Sequence, residues 1–132
     1  DIGEVLNAKA AMYVGAITLM EEMGVRREDL ESILLAGAFG NYISPRSAMS
    51  LGMFPEVPLE RVLQIGNAAG SGAKIALLNK RAREEAVKVA SSLRYIELAA
   101  RPEFQERFYR ALFIPHLDNS SFPMLMEEMR RG

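Results

Sequence analysis

The stretch ILLAGAFGNYISP, residues 33–45, decides how the rest of the chain is to be read. Ser32 to Ala36 is a short aliphatic run between turn residues, which predicts a buried parallel strand. The strand runs out into Gly37, Ala38, Phe39, Gly40 and Asn41, a loop with little side-chain bulk. Gly37 and Gly40 permit a positive φ or the close approach of a flat ring. Phe39 or Tyr42 would stack on such a ring or else lie in the core. Ser44-Pro45 then starts a helix, with a capping hydroxyl followed by proline at the first helical position. That helix is expected to end near Gly52.

Upstream, residues 2–23 predict a long helix. Ile2, Val5, Leu6, Met12, Tyr13, Ala16, Ile17, Met20 and Met23 recur at spacings of three and four. Gly24 stands at the stop position. Downstream, the proline-containing loop MFPEVPLE leads to a second strand, Arg61 to Ile65. A glycine-rich segment, GNAAGSGAK at residues 66–74, then opens a helix expected to run to about Leu93. Tyr95 to Leu98 is a possible third strand. Pro102 is expected to start a helix with Phe104, Phe108 and Leu112 on one face. A last short helical pattern follows Pro123.

This order of elements argues α/β, with a few parallel strands flanked by helices. Two or three short strands make an unusually thin sheet. The chain also opens directly in helix, without an initiator methionine. Both features lead to the expectation that it is one half of a larger architecture.

Each glycine segment follows a strand and precedes a helix. In open α/β sheets ligands bind at that crevice, where helix N-termini offer unpaired N–H groups to phosphate. The second segment matches neither standard phosphate motif. Five residues separate Gly66 from Gly72, and Ala73 stands between Gly72 and Lys74, so it is not a P-loop. Glycines at 66, 70 and 72 also miss the dinucleotide spacing. What remains is a row of small residues from Gly66 to Ala73, which close helix packing explains as well as a ligand does.

Composition narrows the classes. With 49% hydrophobic and 25% charged residues over 132 positions, the chain is globular. A net charge of −1 supplies no bulk attraction to nucleic acid or anionic lipid. The basic run at 80–83 is followed at once by Glu84 and Glu85, which reads as a solvated helix face. There is no cysteine, and the single histidine, His116, is too little for a metal site. No apolar run is long enough to span a bilayer. The expectation is a soluble cytoplasmic protein that engages neither nucleic acid nor membrane.

Taken together, the motifs resemble a known superfamily. ILLAGAFG is similar to the adenosine motif in the second lobe of the actin-like, ribonuclease H-like ATPases, with Ala38 where many members carry a second glycine. VLQIGNAAGSGAKIALL is similar to the connecting motif at their hinge. More narrowly, AKAAMYVGAITLM, LLAGAFGNYISPRSAMSLGMFP, IGNAAGSGAKIALLN and YIELAARPEFQERFYRALFIP, in that order, resemble the C-terminal part of the reductive activators of corrinoid proteins. The resemblance runs from Asp1 to about Pro115.

The resemblance implies a parent with a ferredoxin-type two-iron, two-sulfur domain and an ATPase-like module. Such a parent uses ATP with magnesium to drive an electron onto the Co(II) corrinoid of a methyltransfer protein, its partner, giving Co(I). The cluster would lie in a domain outside this chain. Residues 1–100 would be a partial nucleotide-binding lobe, and 101–132 a C-terminal helical extension. Carried over by position, Gly37, Ala38, Phe39, Gly40 and Asn41 would line the adenosine side of the nucleotide. Gly66 and Asn67 would lie near the hinge, where Asn67 would equally serve as a helix cap. Lys9 would offer its ammonium to the adenine or snorkel at a helix edge. The catalytic acid and the first phosphate loop belong to the other lobe, so no residue here is assigned a catalytic or metal-binding role, and the chain alone is expected not to hydrolyse ATP. It is expected to self-associate or to contact the missing lobe. The alternative is a non-catalytic structural or dimerisation module whose loops only pack.

Overall fold

The computed structural model describes residues 1–37 and 42–131. The first helix, α1, spans Ile2–Met23; the Asp1 carboxylate caps its start by accepting from the Gly3 N–H at 3.0 Å. Gly24, at φ 65°, closes it. After a 3-10 turn at Arg27–Asp29 comes β1, Ile33–Ala36. The second helix, α2, spans Pro45–Leu51, capped by Ser44 as its sequence predicts and ended by Gly52 at φ 75°. Another 3-10 turn, Leu59–Arg61, leads into β2, Val62–Gly66.

The expected single helix after β2 is two helices, α3 (Ala68–Leu78) and α4 (Lys80–Ser92). The break has a local cause. Asn79 is extended, and its side chain accepts from the Ala82 N–H to cap α4. The Arg83 guanidinium donates to the carbonyls of Ala76 and Leu77, satisfying groups that the end of α3 leaves unpaired. Tyr95–Leu98 forms no strand; the described sheet has two strands. The next helix, α5 (Phe104–Ala111), starts at Phe104 rather than Pro102. A 3-10 turn at Asn119–Ser121 precedes α6, Pro123–Arg131. This is a mixed α/β architecture of two parallel strands flanked by helices, as expected.

Two cores hold it. In the first, Ala10, Tyr13 and Val14 of α1 meet Ala111 and Phe122, with Phe104, Phe108 and Leu112 packed around them. It draws on residues from both sides of position 100. The second lies under the sheet, where Ala48, Met53, Phe54, Val57 and Val62 meet Ile33 and Leu35. The alternation of a strand puts every second side chain on the opposite face. There Leu34, Leu63 and Ile65 stand 55%, 46% and 43% exposed, so that face of the sheet is open.

The strap from Phe113 to Leu125 joins the two cores through polar contacts. The buried Glu56 carboxylate, beside the sheet core, accepts from the Met124 and Leu125 N–H groups at 2.9 and 2.7 Å and so caps α6. Arg27 donates to the Ser121 carbonyl. No helix among the described residues is long and apolar enough to cross a membrane.

Candidate functional site

The parallel ladder brings the two glycine turns together. Ile33 pairs with Val62, Leu34 with Leu63, Leu35 with Gln64, and Ala36 with Gly66. The step from Leu35 to Ala36 skips Ile65, which makes a bulge in β2 at the carboxyl end of the sheet. Gly37 and Gly66 therefore lie side by side where the strands end. Both adopt a positive φ, 74° and 63°, which turns the chain away from the sheet and favours glycine. Among the described residues a Cβ built on Gly37 would meet no atom within 4 Å, and the positive φ itself favours glycine there.

The other expected site residues fall as follows. Ala38, Phe39, Gly40 and Asn41 lie outside the described residues. Tyr42, just beyond them, is 88% exposed and is not a core residue. Asn67 caps α3, its side-chain oxygen accepting from the Gly70 N–H at 2.9 Å. That cap explains Gly70, because a Cβ there would lie 2.6 Å from the Asn67 side-chain nitrogen. Gly72, by contrast, faces open space.

Lys9 is not a surface residue at a helix edge. It is fully buried, and its ammonium donates to the carbonyls of Phe113 and, at 2.8 Å, Pro115. Burial pushes the ammonium down to about 8, because a charge is harder to keep away from water. With two carbonyls on it and no exposed surface, Lys9 fastens the strap to α1. The lone histidine is also part of the core rim. His116 lies 5.2 Å from the Tyr13 ring and accepts from the Asp118 N–H, and burial lowers its pKa. Two polar residues escaped the sequence reading. Glu56 looks like a loop acid yet is buried, and Gln64 looks like an ordinary strand residue yet reaches the Ile43 carbonyl at 3.1 Å. Neither carries a local signal, since each finds its partner through the fold.

Against known families, residues 1–126 match the one described as the C-terminal domain of RACo, the ASKHA domain. The chain belongs to that family. It is similar to the corrinoid activation enzyme RamQ of Eubacterium limosum, 41% identical over 108 residues, which is 82% of this chain and 18% of that protein. It is 29% identical over 93 residues to the [Co(II) methylated amine-specific corrinoid protein] reductase of Methanosarcina barkeri, covering 70% of this chain and 17% of that one. The fold is similar to a solved reductive activator for corrinoid, iron-sulfur protein, with a TM-score of 0.83 and 32% identity over 91% of this chain and 19% of that one. The chain thus spans about a fifth of the length of these relatives.

The groups implied by the family can be set against these residues. Two glycines at positive φ at the carboxyl end of a parallel strand pair suit the close approach of a nucleoside to backbone. An iron–sulfur cluster does not fit this chain's own side chains, which include no thiol.

Proposed function

We propose that this chain forms the adenosine side of the nucleotide cleft in a cytoplasmic, ATP-dependent activator that returns the Co(II) corrinoid of a methyltransfer protein to Co(I). The observation that carries the proposal is the side-by-side placement of Gly37 and Gly66, both at positive φ, at the carboxyl end of a parallel strand pair. That end of an open α/β sheet is where ligands bind. The cleft residues are Gly37, Ala38, Phe39, Gly40 and Asn41 on one turn and Gly66 and Asn67 on the other. Lys9 is left out because its ammonium is committed to the strap. ATP with magnesium, when bound, supplies the hydrolysis that drives the uphill electron. This chain contributes binding and orientation, with the α3 N-terminus directed to the same sheet end. The two-iron, two-sulfur cluster and the catalytic acid belong to parts of the parent beyond these residues. The open sheet face at Leu34, Leu63 and Ile65 is contact surface for the rest of the module or for a second copy. The reading in which the loops serve only packing is favoured at one position, Gly70, where the Asn67 cap fills the space of a side chain.

The test is Gly37→Val in the full-length protein, with ATP binding followed by calorimetry and the fold checked by circular dichroism. Valine at a positive φ is strained by about 1–3 kcal/mol, so the turn relaxes to another conformation. The expected result is ATP affinity weakened by about tenfold with the fold retained. Unchanged affinity in a folded variant overturns the assignment.

A further inference from the structure

We propose that the cavity walled by α1, α5 and the strap is a binding site for a small carboxylate with an apolar body, held by the His116 imidazole and the Arg110 guanidinium. The site lies at the helical core and rests on no part of the nucleotide reading. The cavity measures about 210 Å³. Its deep wall is apolar and comes from α1: the Tyr13 ring, Val14 and Ile17. Its rim is polar and comes from three elements. Glu21 stands on α1, Arg107 and Arg110 on α5, and His116 on the strap. The strap is brought to α5 by its own backbone, where the Leu117 N–H donates to the Arg110 carbonyl at 2.9 Å. His116 is therefore one residue from the contact that ties the strap to Arg110.

The rim has donors to spare. A backbone N–H only donates, so the Asp118 N–H, 3.0 Å from Nδ1 of His116, makes that nitrogen an acceptor. The neutral ring then carries its hydrogen on Nε2. Burial keeps the ring neutral by lowering its pKa; the charges of Lys9 and Arg110 act in the same direction and Asp118 acts against them. Among the described residues Nε2 has no hydrogen-bond partner, and no buried side-chain nitrogen lacks one, so Nε2 is open to solvent. Arg110 bonds Glu106 through one nitrogen, at 2.8 Å, and Arg107 bonds Glu21 through one, at 2.6 Å. A guanidinium has several more N–H donors, and its planar fork fits a carboxylate. Glu21 on the rim opposes a second negative charge, which disfavours phosphate. The deep wall sets the rest of the ligand. A group polar all round leaves Val14 and Ile17 uncovered, whereas an aliphatic or aromatic body covers them.

The experiment is calorimetric titration of the full-length protein with benzoate, acetate and benzyl alcohol. It is repeated with benzoate on Arg110→Met and His116→Phe, the fold of each being checked by circular dichroism. Methionine keeps an apolar stem and loses the donors; phenylalanine keeps a ring beside Tyr13 and Phe122 and loses the Nε2–H. The expected result is saturable benzoate binding by wild type, with acetate and benzyl alcohol each weaker by at least about tenfold. Benzoate binding is expected to weaken by about tenfold in each variant, as for loss of one hydrogen bond to a charged group. No saturable binding of benzoate to wild type in the millimolar range overturns the site. Acetate bound as tightly as benzoate overturns the apolar body, and benzyl alcohol bound as tightly overturns the carboxylate. Wild-type benzoate affinity in a folded R110M places the ligand elsewhere and overturns the site. R110M decides the question should H116F fail to fold, because Arg110 is half-exposed on α5. Wild-type affinity in a folded H116F overturns the part given to the imidazole.

Discussion

The helical core and the α3–α4 hairpin are built from similar residues and have opposite fates. In the core, α1 and α5 press Ala10, Tyr13, Val14 and Ala111 against Phe122, and the strap is fastened there by Lys9. In the hairpin, neither helix contains a buried residue, and Ile75, Leu77 and Leu78 stand 57%, 74% and 85% exposed. Helix formation in the hairpin is local. Asn67 and Asn79 cap the two helices, and Arg83 binds the carbonyls between them. Helix formation in the core depends on residues a hundred positions apart. Local capping is enough to shape a helix, but only tertiary burial makes it costly to perturb.

The comparison is tested most severely at Phe122. Its ring is fully buried and lies 5.7 Å from the Tyr13 ring, between α1 and the start of α6. Phe122→Ala leaves a cavity that the surrounding helices fill only in part, and the expected loss is about 3–5 kcal/mol. Denaturant unfolding measures it. A loss below about 1 kcal/mol would mean that the strap is not part of the core.

A smaller effect is expected at Lys9, and it carries a sign. The folded-state pKa is lowered to about 8, against 10.5 for an exposed lysine. Between these values the unfolded chain keeps a proton that the folded chain has released. Stability therefore rises with pH across that window, by up to about 3 kcal/mol from this group. Below pH 8 both states hold the proton and the contribution to the slope vanishes. Lys9→Met should remove the rise, leaving a flatter stability profile between pH 8 and 10 by chemical denaturation. A slope identical to wild type would place the ammonium in water.

How much of this was legible in the sequence follows the same division. Caps and stops are local, so Gly24, Ser44-Pro45, Gly52, Asn67 and Pro123 mark helix ends where the structure has them. The two strands were legible within a residue because aliphatic runs end at glycine in both. The break at Asn79 was missed although its signal was present, since an asparagine before Lys80 reads equally as helix interior and as a cap. Tyr95–Leu98 has strand-like composition, but no described strand pairs with it. The positive φ of Gly37 was readable because that conformation favours glycine, whereas Gly66 stood in a row of small residues that did not single it out. The ties at Lys9, Glu56 and Gln64 were not readable. Their partners lie 104 and 106, 68 and 69, and 21 residues away, and nothing at positions 9, 56 or 64 announces them.

The smallest effect belongs to the hairpin and sharpens the contrast from the other side. Leu78, at the end of α3, is 85% exposed, so replacing it removes almost no buried surface from this chain. Leu78→Ser is therefore expected to change the stability of the 132-residue chain by no more than about 0.5 kcal/mol in denaturant unfolding. Leucine and serine differ in helix propensity by a few tenths of a kcal/mol, and at the last helical residue even that term is diminished by fraying. A loss above about 1.5 kcal/mol would require Leu78 to be covered when the chain is alone in solution. Repeating the measurement over a range of protein concentrations separates the two possible covers. A loss that grows with concentration comes from contact between copies, because only association makes stability depend on concentration. A loss that does not change with concentration would mean the hairpin folds back on its own chain.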